Sequence, residues 1–153
     1  MIFKDTIFLA QTDTTVGFLS HSKDRLCAIK NRNKNKSFLQ ICSTLYNVKN
    51  IARIPNKYKN MLRRSKNSTF IHQNKKATRL SFDCRHNRFL DKYAQNNPLF
   101  STSANMSNFA FDKDFAICHS DVIVYQKQDF MELQASSLYK INNQNIKKIS
   151  RKI

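Results

Sequence analysis

Apolar residues along this chain come in short bursts that follow two rhythms, one close to the two-residue repeat of a strand and one close to the 3.6-residue repeat of a helix. Residues Ile2 to Ala10 mix β-branched and aromatic side chains and predict a first strand. Ser22 can cap a short helix through Lys30, with Leu26 and Ile29 three apart on its buried side. Ser37 to Leu45 alternates well enough for a second strand. A helical stretch from Tyr46 to Arg64 follows, interrupted at Pro55, which lacks the amide donor that a continuous helix needs. Thr69 to His72 and Thr78 to Phe82 read as two strands joined by the polar turn Gln73-Asn74-Lys75-Lys76. Phe89, Leu90, Tyr93 and Ala94 form a core-facing stripe on a helix from Arg88 to Gln95.

Pro98 to Ser101 predicts a short strand, and Asp112 an N-cap for a helix through Cys118 with Phe115 and Ala116 inward. The continuous apolar run in Asp121 to Tyr125 predicts a strand buried on both faces. Ser137 to Ile141 and Ile146 to Ile149 form a hairpin around Asn142-Asn143. Strands alternating with helices make the chain α/β, a single domain over residues 1–153 with helices packed on a mixed sheet. No repeat, linker or low-complexity tract divides it.

Composition adds a strong charge signal. The 153 residues carry 27 Lys and Arg against 10 Asp and Glu, a formal charge of +17, which attracts polyanions. AT-rich codon usage would produce much of this bias unaided, since the chain also holds 17 Asn and a single Gly. It does not explain where particular cations fall. No apolar run is long enough to span a bilayer, and Lys4 and Asp5 interrupt the N-terminal stretch, so neither a membrane span nor a signal peptide is expected. Cys27, Cys42, Cys84 and Cys118 are far apart, without the close pairs of a zinc site, and read as reduced thiols of a cytoplasmic protein.

A single glycine excludes the glycine-rich phosphate loops, so any phosphate must be held by side chains and small-residue turns. Gly17 itself lies in Thr12-Asp13-Thr14-Thr15-Val16-Gly17-Phe18 and is expected to occupy a backbone conformation that other residues resist. The threonine hydroxyls there either contact a ligand at the strand's end or close a hydroxyl-capped turn. Lys30-Asn31-Arg32-Asn33-Lys34-Asn35-Lys36 places four cations in seven residues, enough to surround a triphosphate or simply to form a solvated loop. Ser101-Thr102-Ser103-Ala104-Asn105-Met106-Ser107 offers hydroxyls and an amide on a small-residue loop. Ser103 lacks the glycine-flanked elbow of a serine hydrolase.

These clusters, in this order, resemble the YrdC-like domain of the threonylcarbamoyl-AMP synthases. That family shows P-T-x-T-x-Y-G, K-x-R, A-x-R and S-x-S/A-N-x-S-G in sequence. Thr12, Thr14 and Gly17 match the first motif, Lys30 and Arg32 the second, and Ala77-Thr78-Arg79 the third, with Thr69 upstream where the family has P-G-P-x-T. Pro98 to Ser107 follows the last motif closely; Ser136-Ser137 resembles a later S-T pair and Arg151 a late arginine. The likeness spans Thr6 to Arg151. It departs at Gln11 (family proline), Val16 (aromatic), Ser65-Lys66-Asn67 (P-G-P), Asn108 (glycine) and Ile153 (glycine).

The resemblance implies a YrdC-like twisted, mostly open mixed sheet with a basic concave cleft. It also implies condensation of L-threonine, bicarbonate and ATP into threonylcarbamoyl-adenylate and pyrophosphate, with Mg²⁺ arriving on ATP. A downstream transferase complex then modifies tRNA. By position, Lys30 and Arg32 are the expected catalytic cations. ATP would be held by Lys30, Arg32, Arg79, Ser103, Asn105, Ser136 and Arg151, and threonine by Thr12, Thr14 and Thr102. Lys30→Ala is expected to remove most of the pyrophosphate release and leave the fold intact. The alternatives are a catalytically weak module that binds tRNA or double-stranded RNA, supported by Lys57, Lys59, Arg63, Arg64 and Lys66, and a carbamoyl-handling relative of hydrogenase-maturation proteins.

Overall fold

The structure is a computed structural model, and it describes residues 3–33, 35, 37–94, 97–124 and 128–150. Among the described residues, nine strands form one mixed sheet: β1 (Phe8–Gln11), β2 (Val16–Ser20), β3 (Leu39–Cys42), β4 (Ser68–Ile71), β5 (Ala77–Leu80), β6 (Phe100–Ser103), β7 (Val122–Ile123), β8 (Ser137–Ile141) and β9 (Ile146–Ile149). Their order is β7-β1-β2-β6-β3-β5-β4-β8-β9, so β7 and β9 are the outer strands. The β1–β7, β3–β5 and β4–β8 pairs are parallel and the others antiparallel. The described residues also form the helices α1 (Lys23–Lys30), α2 (Leu45–Ile51), α3 (Lys59–Arg64), α4 (Cys84–Tyr93) and α5 (Lys113–Cys118). The α/β class expected from the sequence is the one observed.

The two-residue side-chain alternation decides what each face of the sheet meets. Ile7, Leu9, Val16 and Phe18 point to one side, where Leu26 and Cys27 of α1 and Ala116 of α5 close a core. Farther along that face, Cys42, Phe70, Leu80 and Ile141 meet Val48 and Ile51 of α2 and Leu62 of α3. The opposite face receives Phe8, Ala10, Leu19 and Ile41, covered by Phe89 and Leu90 of α4. Four helices thus pack on one face and α4 alone on the other. The part of the second face that α4 does not reach stays open.

Local chemistry sets several boundaries as the sequence predicts. Ser22 accepts from the Arg25 amide and Asp112 from Asp114 and Phe115, capping α1 and α5. Pro55 divides the α2–α3 stretch, with a 3-10 turn at Asn56–Tyr58 between the helices. Other expectations are corrected. The first strand starts at Phe8 rather than Ile2, which lies outside the described residues, and the second ends at Cys42, since Thr44 caps α2. A strand at Val16–Ser20 was not expected. Helix α4 begins at Cys84, because the Asp83 carboxylate accepts from the Arg85 and His86 amides. Strand β6 is shifted onto Phe100–Ser103.

The apolar run after Asp121 is no buried central strand. Among the described residues the strand covers Val122 and Ile123, at the sheet's edge, and they are 40% and 46% exposed; Tyr125 lies outside the described residues. Asp121 is used differently: its carboxylate accepts from the Ile7 amide and pairs with Arg25, which holds it below the usual carboxylate range.

Gly17 also departs from expectation. It sits inside β2, and its φ is not positive. Its constraint is space: a Cβ at this position would lie 2.9 Å from the Thr102 carbonyl oxygen of β6. Backbone cannot yield as a flexible side chain does. Gly17→Ala is therefore expected to cost about 1–3 kcal/mol, read as a lower urea midpoint, by pushing β2 away from β6. The left-handed conformation appears instead at Asn108 (φ 69), where the family pattern has glycine; asparagine tolerates it better than most residues.

Two buried histidines make the fold acid-sensitive. Burial pushes His72 and His86 down to about 4 from an ordinary 6.5, and for His86 the positive charge of Arg79 adds to the effect. His72 Nε2 shares a 2.7 Å hydrogen bond with Thr78 Oγ1. Between pH 6.5 and 4 the unfolded chain takes up these protons and the native one does not, so stability falls as pH is lowered. Urea melts at pH 7, 5.5 and 4.5 should show this loss, on the order of 3 kcal/mol per histidine across the window. Replacing His86 with Phe should flatten the dependence.

Candidate functional site

The open part of the second face forms the floor of a cleft of about 720 Å³. Gly17 of β2, Ser101, Thr102 and Ser103 of β6, Leu39 of β3, Ala77 and Arg79 of β5, Thr69 and Ile71 of β4 and Leu138 of β8 contribute to it. Its rim is the Thr12–Thr15 turn, Arg32 to one side, Lys75 to another, and the segment from Glu132 to Ser136. Sheet order, rather than chain order, brings these residues together.

The hydroxyl-rich turn is built around Thr12. Its Oγ1 donates to the Thr15 carbonyl at 2.7 Å and accepts from the Thr14 and Thr15 amides at 3.3 Å. The hydroxyl-capped turn foreseen as one option is therefore present, with Thr12, Thr14 and Thr15 all lining the cleft. Arg79 reaches across from β5: Nη1 donates to Thr14 Oγ1 at 2.6 Å and Nη2 to Thr12 Oγ1 at 3.4 Å. Its Nε lies 3.9 Å from the Asp13 carboxylate. Burial raises the Asp13 carboxyl above the usual range, against the lowering effect of Arg79. Asp13 itself lines a neighbouring pocket of about 480 Å³ with Gln11, Asp83, Cys84 and Arg85.

Lys30 is almost fully buried at the end of α1. Its ammonium donates to the Ser103 carbonyl at 2.9 Å, to Asn105 Oδ1 at 2.9 Å, to Ser103 Oγ at 3.4 Å and to the Asn105 carbonyl. The lysine fastens the loop after β6 from behind, and it does not itself line the cleft. Burial, reinforced by the charge of Arg32, lowers Lys30 to about 8. Arg32 faces the cleft, donates to the Ser37 carbonyl at 3.1 Å and lies over the Phe38 ring. Its Nε is buried with no hydrogen-bond partner among the described residues. Ser136 is buried beside the cleft, its Oγ 2.8 Å from Thr69 Oγ1.

Of the residues singled out in the sequence, Thr12, Thr14, Arg32, Arg79, Thr102, Ser103 and Ser136 line one cleft. Lys30 and Asn105 stand behind it, and Arg151, Lys34 and Lys36 lie outside the described residues. Asp13, Lys75 and Glu132 were not singled out. Asp13 sits inside the T-D-T motif and Glu132 is the chain's one glutamate, so a signal for each was present.

Solved structures superpose on most of this chain at low sequence identity. A P. abyssi Sua5 variant superposes with a TM-score of 0.76 at 13% identity, covering 92% of this chain and 51% of that one. E. coli YciO gives 0.74 at 16%, covering 94% and 82%. The chain has a YrdC/Sua5-like fold. P. abyssi Sua5 complexed with L-threonine matches with a TM-score of 0.73 at 13% identity, over 92% of this chain and 48% of that one. The YrdC/Sua5-like chain thus spans about half the length of the Sua5 structures and about four fifths of YciO. No family model matches the sequence, and no curated protein sequence does either. Among the described residues, no helix is long and apolar enough to cross a membrane.

Proposed function

We propose that this protein is a threonylcarbamoyl-adenylate synthase, acting on L-threonine, bicarbonate and ATP for tRNA modification. The observation that carries the reading is the cleft itself, where hydroxyls from the Thr12–Thr15 turn and from β6 stand beside Arg32 and Arg79. The reaction joins the threonine nitrogen to bicarbonate carbon with loss of water. The resulting carbamate oxygen then attacks the α-phosphorus, breaking the bond to pyrophosphate. Negative charge grows on the leaving group, so alignment and fixed cations supply most of the catalysis. Arg32, which faces the cleft, suits the phosphates, and Arg79 suits a carboxylate held over Thr14. Lys30 acts from behind, fixing Ser103 and Asn105 and adding positive charge next to Arg32. ATP enters as its magnesium complex. Magnesium keeps several of its waters when it binds nucleotide phosphates.

The test is pyrophosphate release from ATP, expected only when threonine and bicarbonate are both present. Release that ignores either one overturns the reading. A second reading, an RNA-binding module, is favoured by the distribution of charge. No Asp or Glu occurs between Asp24 and Asp83 or after Glu132, and Lys140 and Lys147 stand opposite each other on β8 and β9. Like charges so paired cost stability unless a polyanion answers them. Tight, steeply salt-dependent RNA binding without any pyrophosphate release would favour that module. The product's acceptor would be the tRNA-modifying transferase complex.

A further inference from the structure

The segment on one rim of the cleft is held by a clamp at a position where this sequence departs from the pattern of the family it resembles. Gln11 stands in place of the motif proline, and its amide uses both ends on Met131: Oε1 accepts from the Met131 amide at 2.9 Å, and Nε2 donates to the Met131 carbonyl at 3.2 Å. The Val16 amide adds a third bond to that carbonyl at 3.3 Å. Gln11 and Val16 flank the Thr12–Thr15 turn, so Met131 is fixed directly beside it. The next two residues, Glu132 and Leu133, line the cleft. A proline could provide neither amide contact.

Glu132 is the one carboxylate among the described cleft-lining residues, where Arg32, Lys75 and Arg79 are the cations. A free amino acid carries both charges. Its carboxylate has several possible partners here, and its ammonium has one. A nucleotide has no such cationic group, and a carboxylate beside its phosphates would repel it. We infer that Glu132, positioned by the Gln11 clamp, receives the amino group of the amino-acid substrate and sets the preference for it. This rests on the amino acid occupying the Thr12–Thr15 end of the cleft, as in the proposed function. The role is selective binding; the carbon–nitrogen bond still forms on the free amine.

The test compares L-threonine with 2,3-dihydroxybutyrate, in which a hydroxyl replaces the amine, by calorimetric titration of the whole protein. The wild type should bind threonine at least about tenfold more tightly, the equivalent of about 1.4 kcal/mol. Glu132→Gln should bind the two alike, and its KM for threonine should rise about tenfold while KM for ATP stays within about twofold. Gln11→Ala should shift threonine binding in the same direction, and Glu132→Asp should recover part of the preference. Undiminished discrimination in Glu132→Gln overturns the inference and leaves the synthase reading standing. An equal rise in KM for ATP also overturns it, because Glu132 would then serve the nucleotide. A wild type that binds no threonine overturns both.

Discussion

Arg79→Ala should destabilise the protein by about 3–5 kcal/mol and lower pyrophosphate release at least about a hundredfold. The two losses have separate causes. Arg79 is buried with its guanidinium donating to Thr12 and Thr14, and its Nε lies 3.9 Å from the Asp13 carboxylate. Removing it strands a carboxylate that burial already disfavours in its charged form. Adding Asp13→Asn to the alanine variant should therefore restore much of the urea midpoint and none of the activity. Arg79→Lys should behave similarly, since it returns a charge without the fork that reaches two hydroxyls. Full activity in the stabilised double variant would remove Arg79 from the reaction.

Lys30→Met should lose nearly as much. Four oxygens of Ser103 and Asn105 would be left facing a methyl group, at a cost of about 2–4 kcal/mol. The burial of Lys30 makes a cost to the fold the expected outcome, where the sequence alone led us to expect none. The loop bearing Ser103 should loosen, and activity should drop about a hundredfold or more. Its pH behaviour supplies a second readout. With Lys30 lowered to about 8 in the fold, its charge is lost as pH rises through that value, and wild-type activity should decline there. Stability should move the other way. Between pH 8 and the ordinary 10.5 the unfolded chain holds this proton and the native one has released it, so the fold gains. An activity profile flat from pH 7 to 9.5 would contradict the assignment.

The parts of the fold legible in the sequence were those fixed by neighbours along the chain. Ser22 and Asp112 mark helix starts because a cap is a contact over two or three residues, and Pro55 breaks a helix wherever it stands. The Asn142-Asn143 hairpin is likewise local. Strand β2 was missed because hydroxyls and Gly17 suggested a loop, although its hairpin partner β1 is local; its second partner, β6, lies eighty or more residues away. The run at Val122–Ile123 reads as core in any window of sequence; only the sheet order reveals it as a margin. In the site, the motif threonines and arginines were legible as a family pattern. Their division of labour was not, because the Thr12 turn, the Lys30 brace and the Gln11 clamp all depend on which partner lies across the gap.

The sheet's two margins differ in a way that bears on self-association. An unpaired strand edge is a template for other chains, and β7, with two residues, offers little to grip. Strand β9 is twice as long, and there Lys147 and Lys148 sit exposed in the middle of the ladder. Copies of this protein meeting edge to edge would bring lysine against lysine. Acetylation or high salt would remove that repulsion, and joining would then begin at β9.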